Sequence, residues 1–437
     1  MGFVSEYKFQ DVINEISAFS NTDIEVTSYN KHWFSSDALV TIDLGAEKTV
    51  PLEPARLQKF FAESKLQKIN IRAHILHGPF IYYQNKINIA QAIIDASVML
   101  NDEQNKLLQR TLSSPPIISM QMMIKINGRS IIDINVPPYV YESANRHIKW
   151  QNIYFGMEFS SSLHKIKRTI DIPEIQLEAP NFKLYLNSLK ATYSGEKEAD
   201  NLWLGDSAFS LKSFHFEITK VISGGTENFT TTSSFKEQKG LISGDTEINI
   251  DKLTVDDKNF TDNKIAWAIS NFNMVSLAKL KQEISSLDSE EFALAPMKQA
   301  SHFLDLLREL LSNNATIEIK QFDITTPWGK ADVHGKAVFP PVAAKTESEL
   351  DFLTNMQQEF DLRLEKKLAL SLAKNFLKYF TPAHKNEDYN KQAMILLNNL
   401  EETKTIVSDD GNYKMHIEYK DKKLMLNNIP FSLSNKP

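Results

Sequence analysis

Cysteine is absent from all 437 residues, which excludes disulfide frameworks, thiolate zinc sites, iron–sulfur ligation and Cys nucleophiles together. Glycine (14) and proline (16) are too sparse for a collagen-like or low-complexity chain. No stretch approaches the ~18 consecutive apolar residues of a spanning helix, and the N-terminus has neither the basic n-region nor the apolar h-region of a signal peptide. Catalytic signatures are missing as well. There is no GxSxG elbow, no GxGxxG after a strand, no GxxxxGK[ST] loop and no HExxH, so nucleophilic hydrolases, dinucleotide enzymes, P-loop NTPases and zincins lose their best signals. A formal net charge of -6 offers no bulk attraction to nucleic acid or to anionic lipid headgroups, and no nucleic-acid partner is expected. What is present, 42% hydrophobic and 24% charged residues, belongs to a folded chain with a sizeable core.

Val12, Ile13, Ile16 and Phe19 recur at helical spacing, predicting a helix over 5–19. Residues 24–30 and 33–44 alternate as two paired strands, with Ala38, Val40 and Ile42 on one face. A second short helix is expected over 54–65, then strand, turn and strand over 68–100 with the break at Gly78-Pro79. Residues 102–112 read as a helix, and the following segment as a hairpin turning at Asn127-Gly128. From 147 to 272 the pattern is almost wholly strand-like. Leucines at spacings of three and four predict two helices within 274–312, flanking Pro296. Strands return over 315–340, punctuated by Gly329 and Gly335, and a polar link leads to residues 359–369, which read as a strand or a helix start. Helices over 368–380 and 386–404, separated by Pro382, precede a closing hairpin or meander.

This order predicts an α+β, β-dominated chain of large curved antiparallel sheets with amphipathic helices packed on them, elongated or groove-like. Three regions are expected: an N-terminal α+β region (1–145), a long antiparallel β region (146–340) with a helical insertion (274–312), and C-terminal helices with a closing hairpin (341–437).

Three segments resemble a known family. The segments 29–44 (YNKHWFSSDALVTIDL), 77–80 (HGPF) and 411–428 (GNYKMHIEYKDKKLMLNN) are similar, in order, to those of the YdgA-like bacterial proteins of unknown function. The resemblance implies a Gram-negative envelope protein, periplasmic or anchored to the inner membrane by an N-terminal helix that this chain does not carry. A natural start, a trimmed targeting segment and a secreted relative all remain open. The family has no established chemistry, so no catalytic residue is carried over.

The residues themselves offer few chemical candidates. His74 and His77, three apart on a strand, point to opposite faces and cannot converge on a metal. The remaining histidines form no ligand motif, and neither metal nor cofactor is expected. Asp409-Asp410 and the group Asp288, Glu290 and Glu291 read as solvated turns. The five tryptophans read as core in preference to stacking platforms. Candidate binding or motif residues are therefore Trp33, Phe34, His77, Gly78, Pro79 and Phe80. The expected function is non-enzymatic binding or scaffolding in the envelope, holding a lipid-like or hydrophobic protein ligand in an apolar groove. A secreted or host-directed interaction factor and a hydrolase with an unrecognised carboxylate site are the alternatives.

Overall fold

The computed structural model describes residues 2–20, 22–43, 68–102, 104–106, 118–199, 202–286, 300–341, 354–380 and 388–431. The chain divides into two compact units, Met1–Ile218 with Lys281–Ala295, and Thr219–Leu280 with Pro296–Pro437. The helix expected over 54–65, most of that over 102–112, the polar link and Pro296 and Pro382 lie outside the described residues.

Unit 1 opens with helix α1 (Gly2–Ser20), whose Phe9 and Val12 are buried while Ile13 and Ile16 pack beside them. Its strands are β1 (Asp23–Lys31), β2 (Ser35–Asp43), β3 (Lys68–His77), β4 (Ile81–Tyr83), β5 (Lys86–Asn88), β6 (Ala92–Met99), β7 (Ser119–Ile124), β8 (Ser130–Val136), β9 (Tyr139–Ser143), β10 (Arg146–Trp150), β11 (Ile153–Phe159), β12 (Lys165–Ala179), β13 (Phe182–Ala199) and β14 (Leu202–Ile218). Antiparallel pairing runs β1-β2-β3-β6-β7-β8-β11-β12-β13-β14, while β4 and β5 form a separate hairpin. One face is apolar by period-two alternation: Ala38 and Val40 of β2 and Ile71, Ala73 and Ile75 of β3 are buried against α1. The Asn127-Gly128 turn joins β7 to β8 as the sequence predicts.

Pro137 and Pro138 cannot donate to a ladder, and they separate β8 from β9. The β9–β10 hairpin then continues the sheet along the far half of β12. There Trp150 stacks on Tyr139 at 4.7 Å and donates from Nε1 to the Pro137 carbonyl at 3.0 Å. Strands β12 to β14 run 15, 18 and 17 residues, well beyond the usual five or six. Pro173 lies inside β12, where the β12–β13 register passes from Ile172↔Leu189 to Glu174↔Asn187, opposite Ser188 at φ +52°. Gly205, inside β14, faces Gly195 across β13–β14, and a Cβ on it would stand 2.1 Å from the Ser194 carbonyl oxygen.

Unit 2 contains β15 (Ile222–Gln238), β16 (Leu241–Val255), β17 (Lys258–Asn273), β18 (Ala315–Thr326), β19 (Gly329–Phe339), β20 (Gln357–Glu365), β21 (Val407–Asp409), β22 (Asn412–Lys420), β23 (Lys423–Leu426) and β24 (Ile429–Phe431). They pair antiparallel in the order β15-β16-β17-β18-β19-β20-β22-β23-β24, with β21 on β22. Two helices of the expected insertion are present, α2 (Met274–Ser286) and α3 (Ala300–Leu311). Buried Ser276 ties them, bonding Asn273 Oδ1 at 3.3 Å and Glu309 Oε2 at 3.2 Å. Helix α4 (Lys366–Phe380) follows β20 directly, and α5 (Tyr389–Glu402) is capped by the Asp388 carboxylate. Gly335 lies inside β19 opposite a bulge in β18, and does not punctuate a turn as its sequence context suggests. The ambiguous 359–369 segment is both things in succession, a strand to Glu365 and a helix from Lys366.

The fold class is α+β with large antiparallel sheets.

Candidate functional site

Two turns meet at one end of the β2–β3 pair in unit 1. The first, His32 to Ser35, is closed by the His32 amide donating to the Ser35 carbonyl at 2.8 Å. The second follows β3, where Gly78 takes φ +138°, a value that favours glycine, before Pro79 redirects the chain. The His77 amide donates to the Phe34 carbonyl at 2.8 Å, locking one turn to the other. Trp33 is 94% exposed, Phe34 76% and Phe80 72%. Beyond them the β4–β5 hairpin presents Tyr82 and Ile87, which are cross-strand partners and both exposed. Behind the β4–β5 hairpin, Ile81, Ala90 and Ile93 are buried, with Leu76, Tyr83 and Met123 around them.

The tie under the crest is polar. Ser36 and His77 occupy the same buried face as Ala38, Val40, Ile71 and Ile75, at the end of that row. Ser36 Oγ meets His77 Nε2 at 2.7 Å. Burial pushes the His77 pKa below the ordinary histidine value, so the ring favours its neutral form. A neutral imidazole bonded to a serine hydroxyl resembles half of a nucleophilic pair, but both groups lie under the sheet, inaccessible to a substrate. Their role is positional.

Sequence parity separates His74 from His77 correctly. His74 is exposed on the other face, with Nδ1 3.0 Å from Asp37 Oδ1, and His32 approaches the same carboxylate at 3.4 Å. The hydrogen bond from His74 holds Asp37 below the usual carboxylate range. Strand register extends this into a polar row across five strands: Asp37, His74, Asp95, Gln121 and Asp133 stand opposite one another in turn. Tyr83 donates to Asp95 and Tyr154 to Asp133. Burial and the Asp95 carboxylate push the Tyr83 hydroxyl up to about 12, and the Asp133 hydrogen bond with burial does the same for Tyr154.

Unit 2 carries a separate groove of about 620 Å³ lined by Lys264, Asp323, Lys330, Asp332 and Arg363. Register places Lys264, Asp323, Asp332 and Arg363 opposite one another across β17, β18, β19 and β20. Burial and a hydrogen bond with Asp323 raise the Asp332 pKa above the ordinary aspartate value. Alongside, Asp361 lies between two histidines, 2.8 Å from His416 Nδ1 and 3.5 Å from His334 Nε2. Among the described residues no group of three or more His, Asp or Glu side chains is arranged to hold a metal, and no helix is long and apolar enough to cross a membrane.

The sequence assignments fare unevenly. Trp33, Phe34, Pro79 and Phe80 come together as exposed residues on two bonded turns, His77 is beneath them and Gly78 makes the turn possible. The expectation that tryptophans fill the core fails for Trp33 and for Trp328, which is 40% exposed, because both sit at turns; Trp328 is flanked there by Phe260 and Lys258. Asp409 pairs with Lys414 at a turn, while Asp288, Glu290 and Glu291 lie outside the described residues. Sequence reading missed the polar row and the Asp323–Asp332 pair. Alternation marks each of these acids as off the core face, but only register reveals that they are neighbours.

Residues 1–434 match the profile of a family described as "Bacterial protein of unknown function (DUF945)". The chain belongs to this family. The match runs through both units. No curated protein matches the chain, and no solved structure does.

Proposed function

We propose that the chain is a non-enzymatic binding or scaffolding protein of the bacterial cell envelope, allied to the YdgA-like proteins, and that it engages a hydrophobic protein ligand on the crest of Trp33, Phe34, Phe80, Tyr82 and Ile87. The observation that carries this reading is that five large apolar side chains are exposed at one end of unit 1, next to a buried cluster of Ile81, Ala90 and Ile93 that they do not join. Clustered apolar surface of this kind marks an interaction site, and Trp and Tyr are the side chains that most often anchor one. The Ser36–His77 bond and the two interlocked turns hold the anchors in place before the ligand arrives, which lowers the ordering cost of association.

This reading docks the ligand on the crest in preference to the apolar groove expected from sequence, because the crest gathers five exposed large apolar side chains, whereas the groove over β12–β13 presents Gln151, Asp171, Glu174, Asn187 and Lys190. Site-specific photo-crosslinking from position 80 in living Gram-negative cells tests the reading. One discrete envelope protein should be captured, and Trp33→Ala/Phe34→Ala should abolish the adduct; capture that is unchanged in that variant would sink the reading.

A second reading, a hydrolase, is favoured by the Asp323–Asp332 pair, since a carboxyl group whose proton affinity is raised by burial and by a neighbouring carboxylate in a cleft is an arrangement that acid–base chemistry uses. Lys264 and Arg363 on either side of the pair also explain it as a charge ladder.

A further inference from the structure

Helix α4 has the sequence KKLALSLAKNFLKYF, with four lysines and no acidic residue, in a chain of net charge -6. Its packing consumes only part of its apolar surface. Leu368, Ala369 and Ala373 are buried, and the last two join Ala393 and Leu397 of α5 in a core of their own. A second stripe is left facing water. Leu372, Phe376, Tyr379 and Phe380 are 50%, 55%, 89% and 74% exposed, and their spacing of four, seven and eight places them on one side of the helix. Phe376 and Phe380 lie with ring centroids 4.7 Å apart, forming a continuous aromatic ledge. On α5, Met394 and Ile395 are also exposed.

At about 100° per residue, Lys367, Lys374 and Lys378 fall within about 40° of one another, on the side away from this stripe. None of the three makes an ion pair among the described residues, whereas Lys366 sits over the Tyr413 ring at 5.2 Å. A protein partner held by apolar contact alone would not call for a row of lysines on the opposite side of the helix. A helix that lies in a lipid headgroup layer needs both features: an aromatic and aliphatic face to enter the acyl boundary, and a cationic face to draw it to the surface. The helix is only about 10 Å across, so its lysines stay within roughly one Debye length of the headgroup plane when the opposite stripe is buried.

We infer that α4 is an interfacial helix that seats unit 2 on an anionic bilayer, with Leu372, Phe376, Tyr379 and Phe380 entering the headgroup boundary and Lys367, Lys374 and Lys378 supplying the attraction. This site is independent of the crest and stands or falls separately.

Flotation of the purified full chain with vesicles of phosphatidylglycerol and phosphatidylcholine (1:1), against vesicles of phosphatidylcholine alone, tests it. The chain floats with the anionic vesicles and stays behind with the neutral ones, and added salt releases it. Both Phe376→Ser/Phe380→Ser and Lys374→Glu/Lys378→Glu lower partitioning by about tenfold or more, while their thermal unfolding midpoints stay near that of the unaltered chain because the altered side chains are exposed or half-buried. Trp33→Ala/Phe34→Ala floats normally. The inference is overturned if the unaltered chain does not float, if neither α4 variant changes flotation, or if the crest variant alone abolishes it.

Discussion

The hydroxyl of Ser36 on β2 and Nε2 of His77 at the end of β3 lie 2.7 Å apart inside the core of unit 1, directly beneath the turns that expose Trp33, Phe34 and Phe80. A polar bond closes an otherwise apolar row, and the two turns above it depend on where it holds their strands.

Removing the hydroxyl isolates that dependence. Ser36→Ala leaves a buried imidazole without its partner and should destabilise the chain by about 1–3 kcal/mol. Chemical denaturation monitored by tryptophan fluorescence reads this loss, and a stability unchanged within about 0.5 kcal/mol would show the bond to be dispensable.

The sign of the pH effect follows from His77. Burial lowers its folded pKa beneath the ordinary histidine value of about 6.5, so the unfolded chain binds the extra proton first. The stabilising contribution is therefore complete above about pH 6.5 and declines as the pH falls toward the lowered folded value. Denaturation midpoints between pH 8 and 5 should drop on acidification, and His77→Gln should flatten that part of the profile.

Asp332 behaves in the opposite sense. Its folded pKa is raised, chiefly by burial and next by Asp323, so ionisation at neutral pH opposes folding. Asp332→Asn should raise the unfolding midpoint at pH 7, with the gain vanishing by about pH 3, where the native aspartate is protonated in both states. A lowered midpoint at pH 7 would mean that attraction to Arg363 outweighs the desolvation and the repulsion.

Gly205 tests the long strands. A Cβ there would meet the Ser194 carbonyl oxygen at 2.1 Å, a backbone atom that cannot move without parting β13 from β14. Gly205→Ala should cost about 2–3 kcal/mol, whereas Gly240→Ala, which meets open space and carries only the left-handed backbone penalty of its φ of +79°, should cost about 1 kcal/mol. Equal losses would contradict the close approach.

Much of this architecture is legible in the sequence. The period of Val12, Ile13 and Ile16 marks α1, the alternation through Ala38 and Val40 gives β2 its buried face, and Asn127-Gly128 marks its hairpin, because each signal is local. The length of β12 is not local. Pro173 looks like a strand end until register shows it at an unpaired position inside β12, and the tight approach at Gly205 shows only in the β13–β14 pairing. The same limit applies to the sites. The Trp33-Phe34 and His77–Phe80 motifs are visible as words, but whether an aromatic faces core or water depends on the layer opposite it, which no single strand specifies. Asp323 and Asp332 become a pair only through the β18–β19 ladder.

The most direct test of the crest as the docking surface is a photo-crosslinking scan that places the reactive group in turn at positions 33, 80 and 87 on the crest and at positions 154 and 332 away from it. The account predicts the same envelope protein captured from the three crest positions and from neither of the others. Capture confined to position 332, or equal capture from all five, would contradict it.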